Sequence, residues 1–421
     1  METTINKRSQ VLRELEIFVS EEELAKAFDD AYTTIRPQMT LPGFRAGKAP
    51  VSLIKKLHGD AIEGDALEKM AQEKFKEVVE VQKLEPIGTP VMTDLHRHHG
   101  EGAHFKIAYE VKPEITLAEF DGAEVEQPVF SVTDADVEER VHYLRFNYSS
   151  KEPSPQIDDD ETIVSLTFTD HSNPEQAKTE STTVYLHDPQ IVPELRDALI
   201  GKKINDTFDI NLPQSVDGEQ KTLPVTIAID TIEKVTLPAV NEEFAKKISR
   251  DKAATELEVR MLVREELEAN AKRRSQEGLE SNMVNILLSK HEFQVPRTFT
   301  YTLIDAMLKE AKEENKRRGY PEDYGINEEE FRTNAWGSAE TRAKWLMLRE
   351  KLVEAMNLEA SEDEIKALAA KDAEQYGIPA DNLEKYYLSS DEIKERVRSE
   401  KLVEELKKRF IVKEKEIASN K

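Results

Sequence analysis

The period of the apolar residues changes at Asn241. Up to that point, runs that alternate every second residue are interleaved with helical stretches. Beyond it, every apolar run recurs at three- and four-residue spacing. A strand period and a helix period cannot share one continuous layer. The 421 residues also exceed what one hydrophobic core organises, so roughly two to four domains are expected. The expected fold class is α+β and multidomain, with a mixed first part, a small β-rich middle and an all-helical last part.

Residues 10–19 alternate with high β propensity and predict a strand. Ser20 and Glu23 then form a capping-box pattern, followed by Leu24, Ala27, Phe28 and Tyr32 on one helical face. Pro37 ends that helix near Arg36. A short helix is expected over 50–57, and another over 61–83 with Ile62, Leu67, Met70, Phe75 and Val79 inside. Phe105, Ile107, Tyr109 and Val111 alternate in a strand. Residues 116–132 read as extended, and Thr133 to Asp136 as a helix start before Val137, Val141 and Leu144. The polar, proline-containing stretch 149–161 reads as a boundary.

Residues 162–233 predict strands at 163–168, 183–186, 208–212 and 225–232, with a short helix over 193–200 stopped by Gly201. In the helical third, Leu257, Met261 and Val263 fall in one segment. Leu279, Met283, Ile286 and Leu287 fall in the next, and a helix over 302–316 follows. Trp345, Leu348, Leu352 and Met356 keep helical spacing. Ser361 and Glu364 open a further helix with a capping box, and residues 393–410 close the series.

Charged residues make up 34% of the chain and the formal net charge is −25. Such a surface repels nucleic acid as a whole. Residues 31–56 are the exception: the window has no Asp or Glu but holds Arg36, Arg45, Lys48, Lys55 and Lys56. A basic patch on an acidic body suits docking to something anionic. Inside the window lies the loop Leu41-Pro42-Gly43-Phe44-Arg45-Ala46-Gly47-Lys48-Ala49-Pro50. Gly43 and Gly47 permit a tight turn that presents Phe44 outward, with Arg45 and Lys48 beside it. A ring and two cations suit an apolar pocket rimmed by phosphate or carboxylate. On spacing alone, Phe44 folding back onto its own helices is an equal alternative.

The run Gly43-Phe44-Arg45-x-Gly47-Lys48-x-Pro50 resembles the signature of trigger factor, the ribosome-associated chaperone family of bacteria. The resemblance continues through Leu84-Glu85-Pro86-Ile87-Gly88-Thr89-Pro90, Val111-Lys112-Pro113-Glu114, the run from Val132 to Val137, and Leu237-Pro238. It implies a ribosome-binding domain (1–112), a linker packing with the last domain (113–150), an FKBP-like peptidyl-prolyl isomerase domain (151–236) and a helical chaperone domain (237–421). Gly43, Phe44, Arg45, Gly47 and Lys48 carry over as the ribosome-binding residues. The family's Phe-Arg-Lys triplet reads Phe44-Arg45-Ala46 here, which removes one cation. The implied partners are an exit-tunnel ribosomal protein, adjacent ribosomal RNA, and nascent or unfolded polypeptides, with a homodimer off the ribosome as a further option.

The implied isomerase chemistry turns an amide over a barrier of roughly 18–20 kcal/mol and needs only a dry, shaped pocket. Candidate pocket residues are Phe168, Tyr185, Val192, Leu195 and Phe208, and the three rings are the module's only aromatics. Asp170 replaces the family's glycine after Phe168-Thr169, and Leu195 stands where the family has an aromatic. Weak or absent activity is expected, with the module kept for structure or for substrate contact. Isomerase action on folding intermediates and a ribosome-independent holdase are the alternatives to the docked chaperone.

In the helical third, Met261, Met283, Met307, Met347 and Met356 are candidates for adaptable contacts with unfolded clients, each with ordinary helix core as the competing reading. There is no cysteine, so thiolate metal sites and disulfides are excluded. His96, His98, His99 and His104 crowd what reads as a glycine-containing turn; a polar hairpin is expected there, and neither a metal nor a cofactor. No GxxxxGK[ST] phosphate loop occurs, so client binding is expected to be passive. With no signal peptide and no membrane span expected, the chain reads as a bacterial cytoplasmic protein.

Overall fold

The computed structural model describes residues 2–45, 47–98, 100–170, 178–216 and 219–417. The chain forms two compact units. One comprises residues 1–124 with 283–411, and the other 125–282 with 412–421.

The first unit opens with β1 (Glu2–Lys7) and β2 (Leu12–Ser20), then α1 (Glu21–Ile35), α2 (Val51–Gln82), β3 (Pro86–His98) and β4 (Gly102–Val111). The strands make an antiparallel sheet in the order β1-β2-β4-β3. Alternation sends Leu15, Ile17 and Val19 inward from β2, and Phe105, Ile107 and Tyr109 inward from β4. These meet Leu24, Phe28 and Tyr32 of α1 and Ile62, Leu67 and Phe75 of α2. Each such side chain, fully buried, contributes about 1.5–3 kcal/mol. The expected capping box is present: Ser20 accepts from the Glu23 amide while the Glu23 side chain returns to the Ser20 backbone.

One expectation is corrected here. The helices expected over 50–57 and 61–83 are one helix, α2. The helix runs through Gly59, where a Cβ would stand 3.3 Å from the Tyr32 hydroxyl, so the glycine leaves room for α1. The polar hairpin expected around His96, His98 and His104 is present as the antiparallel β3–β4 pair, closed by the Glu101 amide donating to His98 O at 3.0 Å. His96 and His98 end β3 and His104 lies in β4, with His96 opposite His104, whereas His99 lies outside the described residues. Strands β1 and β3 show no clear period in the sequence. Both have mixed polar faces, which hide the two-residue period.

The second unit contains β5 (Glu124–Phe130), α3 (Asp134–Phe146), β6 (Ser150–Pro153), β7 (Thr162–Asp170), β8 (Lys178–Tyr185), α4 (Pro193–Leu199), β9 (Thr207–Val216), β10 (Glu219–Thr236), α5 (Glu242–Ser249) and α6 (Glu256–Lys290). An antiparallel sheet runs β6-β10-β7-β8, with β9 paired to β10. Its inner face gathers Val164, Leu166, Leu186, Val225, Ile227 and Ile229. Val137 and Val141 of α3 pack with Ala245, Val259 and Val263, and Arg260 and Arg264 of α6 pair with Glu138 and Asp134. Residues expected to lie in two helices, around Met261 and around Met283, share the single helix α6.

The first unit resumes at Met283, inside α6, and continues with α7 (Arg297–Arg317), α8 (Glu328–Ala355), α9 (Glu362–Tyr376), α10 (Ala380–Ser389) and α11 (Asp391–Arg409). Ser361 and Glu364 form the expected capping box of α9. The last region, expected to be all-helical, is not. It ends in β11 (Ile411–Ile417), which pairs with β5. Every residue of β11 is exposed, so no apolar face announced the strand.

Candidate functional site

The loop after α1 carries the predicted docking residues. A single 3₁₀ turn, Arg36–Gln38, follows α1, and the chain then folds back on itself. The Gly47 amide donates to Met39 O at 3.2 Å, the Phe44 amide to Leu41 O at 3.1 Å, and the Lys48 amide to Arg45 O at 2.9 Å. Leu41 and Ala49 are buried at the two feet of the loop. The tip between them is pinned by backbone hydrogen bonds and stands clear of the core.

Gly43 and Gly47 both adopt positive φ, 88° and 74°. Gly47 is doubly constrained, because a Cβ there would lie 3.2 Å from Pro37 Cα. Phe44 is 40% exposed. Arg45 and Lys48 are exposed, and neither is ion-paired to another described residue. Lys55 is partly committed: it lies 3.5 Å from Glu63 and over the Tyr32 ring. The geometry therefore brings Gly43, Phe44, Arg45, Gly47 and Lys48 together on one exposed tip. Ala46 lies outside the described residues.

Further along α2, Glu63 accepts from the Tyr32 hydroxyl at 2.9 Å and from Arg97 Nη1 at 2.7 Å. Burial alone would raise the Glu63 pKa. The hydrogen bonds from Arg97 and Tyr32 and the charge of Lys55 outweigh it and hold the carboxyl below its ordinary value. The Tyr32 hydroxyl is pushed up to about 12, first by burial and then by its bond to Glu63.

The five candidate isomerase residues do not share one pocket. Phe168, Val192, Leu195 and Phe208 all lie in the β-module core. The Lys202 ammonium sits over the Phe208 ring, 4.7 Å from its centroid. Tyr185 faces the other way. Its strand neighbours Val184 and Leu186 enter the core, so period-two alternation turns Tyr185 out onto Phe146 of α3, ring to ring at 4.2 Å. The side chain of Asp170 lies outside the described residues.

Among the methionines offered for client contact, Met261 is 55% exposed, whereas Met283 and Met347 are core. Met307 packs with Ile304, Ala339 and Trp336, and Met356 is half-buried. Exposed tyrosines supply what the methionines do not: Tyr301, Tyr320, Tyr324, Tyr376 and Tyr386 are all exposed on the helices and loops from α7 to α10. Spacing did not single them out, because exposure depends on which face packs. In the same unit a cavity of about 770 Å³ lies between apolar residues such as Phe299, Leu346 and Val353 and charged ones such as Lys112 and Glu350. No helix among the described residues is long and apolar enough to cross a membrane.

Comparison with known proteins gives a consistent family. The model described as bacterial trigger factor protein matches residues 1–144, and the model of its C-terminus matches 257–408. The trigger factor of Salinibacter ruber is 29% identical, over 95% of this chain and 91% of its own length. That of Chlorobaculum tepidum is 27% identical over 98% and 97%, and that of Geobacillus kaustophilus 27% over 96% and 97%. A solved structure of the trigger factor chaperone is 20% identical, covers 96% of this chain and 98% of its own, and superposes with a TM-score of 0.45. The two family models together span more than half of the sequence, and the chain therefore belongs to the bacterial trigger factor family.

Proposed function

We propose that this chain is a ribosome-associated, ATP-independent chaperone, gripping the ribosome through Phe44 and Arg45 and shielding nascent and unfolded polypeptides with its helical region. The single observation that carries the docking reading is the outward Phe44 between two positive-φ glycines, beside cations that no described acid neutralises. An exposed ring with flanking cations suits an apolar pocket on a ribosomal protein bordered by RNA phosphate. Exit-tunnel contact, cytoplasmic location and a homodimer off the ribosome belong to the same proposal.

Residues 1–112 would form the docking domain, and 113–150 would pack with the helical region, as the Val137 and Val141 contacts to α5 and α6 support. Residues 151–236 would be the FKBP-like module and 237–421 the chaperone region. Clients would lie against the exposed tyrosines of α7–α10 and the cavity beside Phe299, where scattered apolar area on a charged surface allows binding without sequence reading.

Co-sedimentation with ribosomes tests the docking. The double variant Phe44→Ala, Arg45→Ala is expected to stay in the supernatant while keeping its helical signal and its protection of an unfolded client. A double variant that pellets as fully as the unmodified chain overturns the docking claim. Client protection without any ribosome binding by the intact chain leaves a ribosome-independent holdase.

A further inference from the structure

The outer face of the β-module carries a cluster that neither the docking loop nor the client surface uses. Alternation at the end of β8 puts Tyr185 and His187 on one side, away from the core that takes Val184 and Leu186. Opposite them, one helical turn apart, stand His142 and Phe146 of α3. The amide of Leu186 donates to Thr162 O at 3.0 Å, which sets the preceding residues Asp160 and Glu161 beside His187.

The result is compact. His142 and His187 stack with ring centroids 3.7 Å apart and planes 15° from parallel. Glu161 Oε1 lies 2.7 Å from His142 Nε2 and 3.9 Å from His187 Nδ1. Asp160 Oδ2 lies 3.1 Å from His187 Nδ1. The Tyr185 hydroxyl donates to the other oxygen of Glu161. Ligand atoms of His142, Glu161 and His187 all fall within 4.8 Å of one another, and all three residues are half-buried.

We propose that His142 Nε2, His187 Nδ1 and the Glu161 carboxylate bind a divalent transition-metal ion of the zinc class, clamping α3 to the β-module. Two imidazoles and one carboxylate are the donor set such ions favour over magnesium or calcium. Tetrahedral zinc, with bonds near 2.0–2.2 Å, holds its ligand atoms roughly 3.3 Å apart. The observed separations of 2.7 and 3.9 Å straddle that figure, and binding requires the two stacked rings to turn apart so that both in-plane nitrogen lone pairs meet at one ion. Asp160 stands ready as a fourth ligand. Tyr185 is a positioning residue. Its hydroxyl donates to the second oxygen of Glu161, which fixes the carboxylate's orientation and leaves the oxygen facing the imidazoles for the metal. The other histidine group is less suited: His98 and His104 rings lie 6.4 Å apart, and the nearest carboxylate, Asp94, pairs with His96.

Equilibrium dialysis of the full chain against Zn²⁺ tests the site. One bound ion per chain at micromolar zinc is expected, with magnesium giving none. The double variant His142→Gln, His187→Gln should lose the ion, and His96→Gln, His104→Gln should keep it. Tyr185→Phe should weaken binding by ~10–100-fold, the usual effect of losing a partner that orients a ligand. A second reading needs no variant: on adding Zn²⁺ to the unmodified protein, the ring resonances of His142 and His187 should shift while those of His96, His98 and His104 stay. Absence of bound zinc at micromolar concentration, equal binding by the His142 and His187 double variant, or shifts confined to the other histidines each overturn the proposal.

Discussion

Glu110 of β4 caps helix α7: its carboxylate accepts from the Thr298 amide at 2.8 Å and from the Arg297 amide at 2.9 Å. The residue before α7 is Pro296, which offers no side-chain cap. A carboxylate from another element therefore satisfies two of the orphan amides and meets the positive end of the helix dipole. The same junction is tight, since a Cβ on Gly88 of β3 would lie 2.1 Å from Thr298 Cγ2.

Glu110→Ala is expected to destabilise the first unit by about 1–2 kcal/mol, in the range of a lost helix cap. Glu110→Gln should retain part of that, since the amide oxygen still accepts. Urea unfolding followed by circular dichroism measures both. Equal stability of Glu110→Ala and the unmodified chain would show that the cap contributes nothing.

The Glu63 network gives a pH dependence. Its carboxyl has a folded pKa below the unfolded value of about 4.3. A depressed acid contributes stability that is present above the unfolded pKa and lost as pH falls through the folded one. Unfolding measured from pH 6 down to acid should therefore show a Glu63-dependent loss below about pH 4. Glu63→Gln should flatten that limb, and Glu63→Ala should cost about 1–3 kcal/mol at neutral pH by stranding Arg97 and Tyr32.

The two loop glycines should differ. An alanine at Gly43 meets open space and bears only the cost of a positive φ, about 1–2 kcal/mol. An alanine at Gly47 also collides with Pro37. Gly47→Ala is expected to weaken ribosome pelleting more than Gly43→Ala and to cost more stability, because the collision with Pro37 adds to the positive φ. The opposite ranking would mean that the shape of the tip does not set docking.

Prolyl isomerisation of an Ala-Pro peptide should proceed at nearly the same rate with the intact chain, with Phe168→Ala and without protein. Tyr185 is turned to the outer face, and a lysine covers one face of Phe208, so few rings remain to line a dry pocket. Catalysis by the intact chain that Phe168→Ala removes would restore the enzyme reading.

Helix starts were legible from sequence because a cap is local. Ser20 with Glu23, Thr133 with Asp136 and Ser361 with Glu364 need only residues three positions apart, and all three boxes formed. The exposed tip of residues 41–50 was legible for the same reason: its glycines, its ring and its cations lie within a few residues. The resemblance to the trigger factor family rested on such ordered local runs. Only the tertiary structure decided that Gly59 serves helix approach rather than a break, that polar β11 pairs with β5, that Glu110 caps α7 and that His142 reaches His187. These relations join segments distant in sequence. They form because burying apolar faces elsewhere brings their backbones together, and no local pattern of residues encodes that.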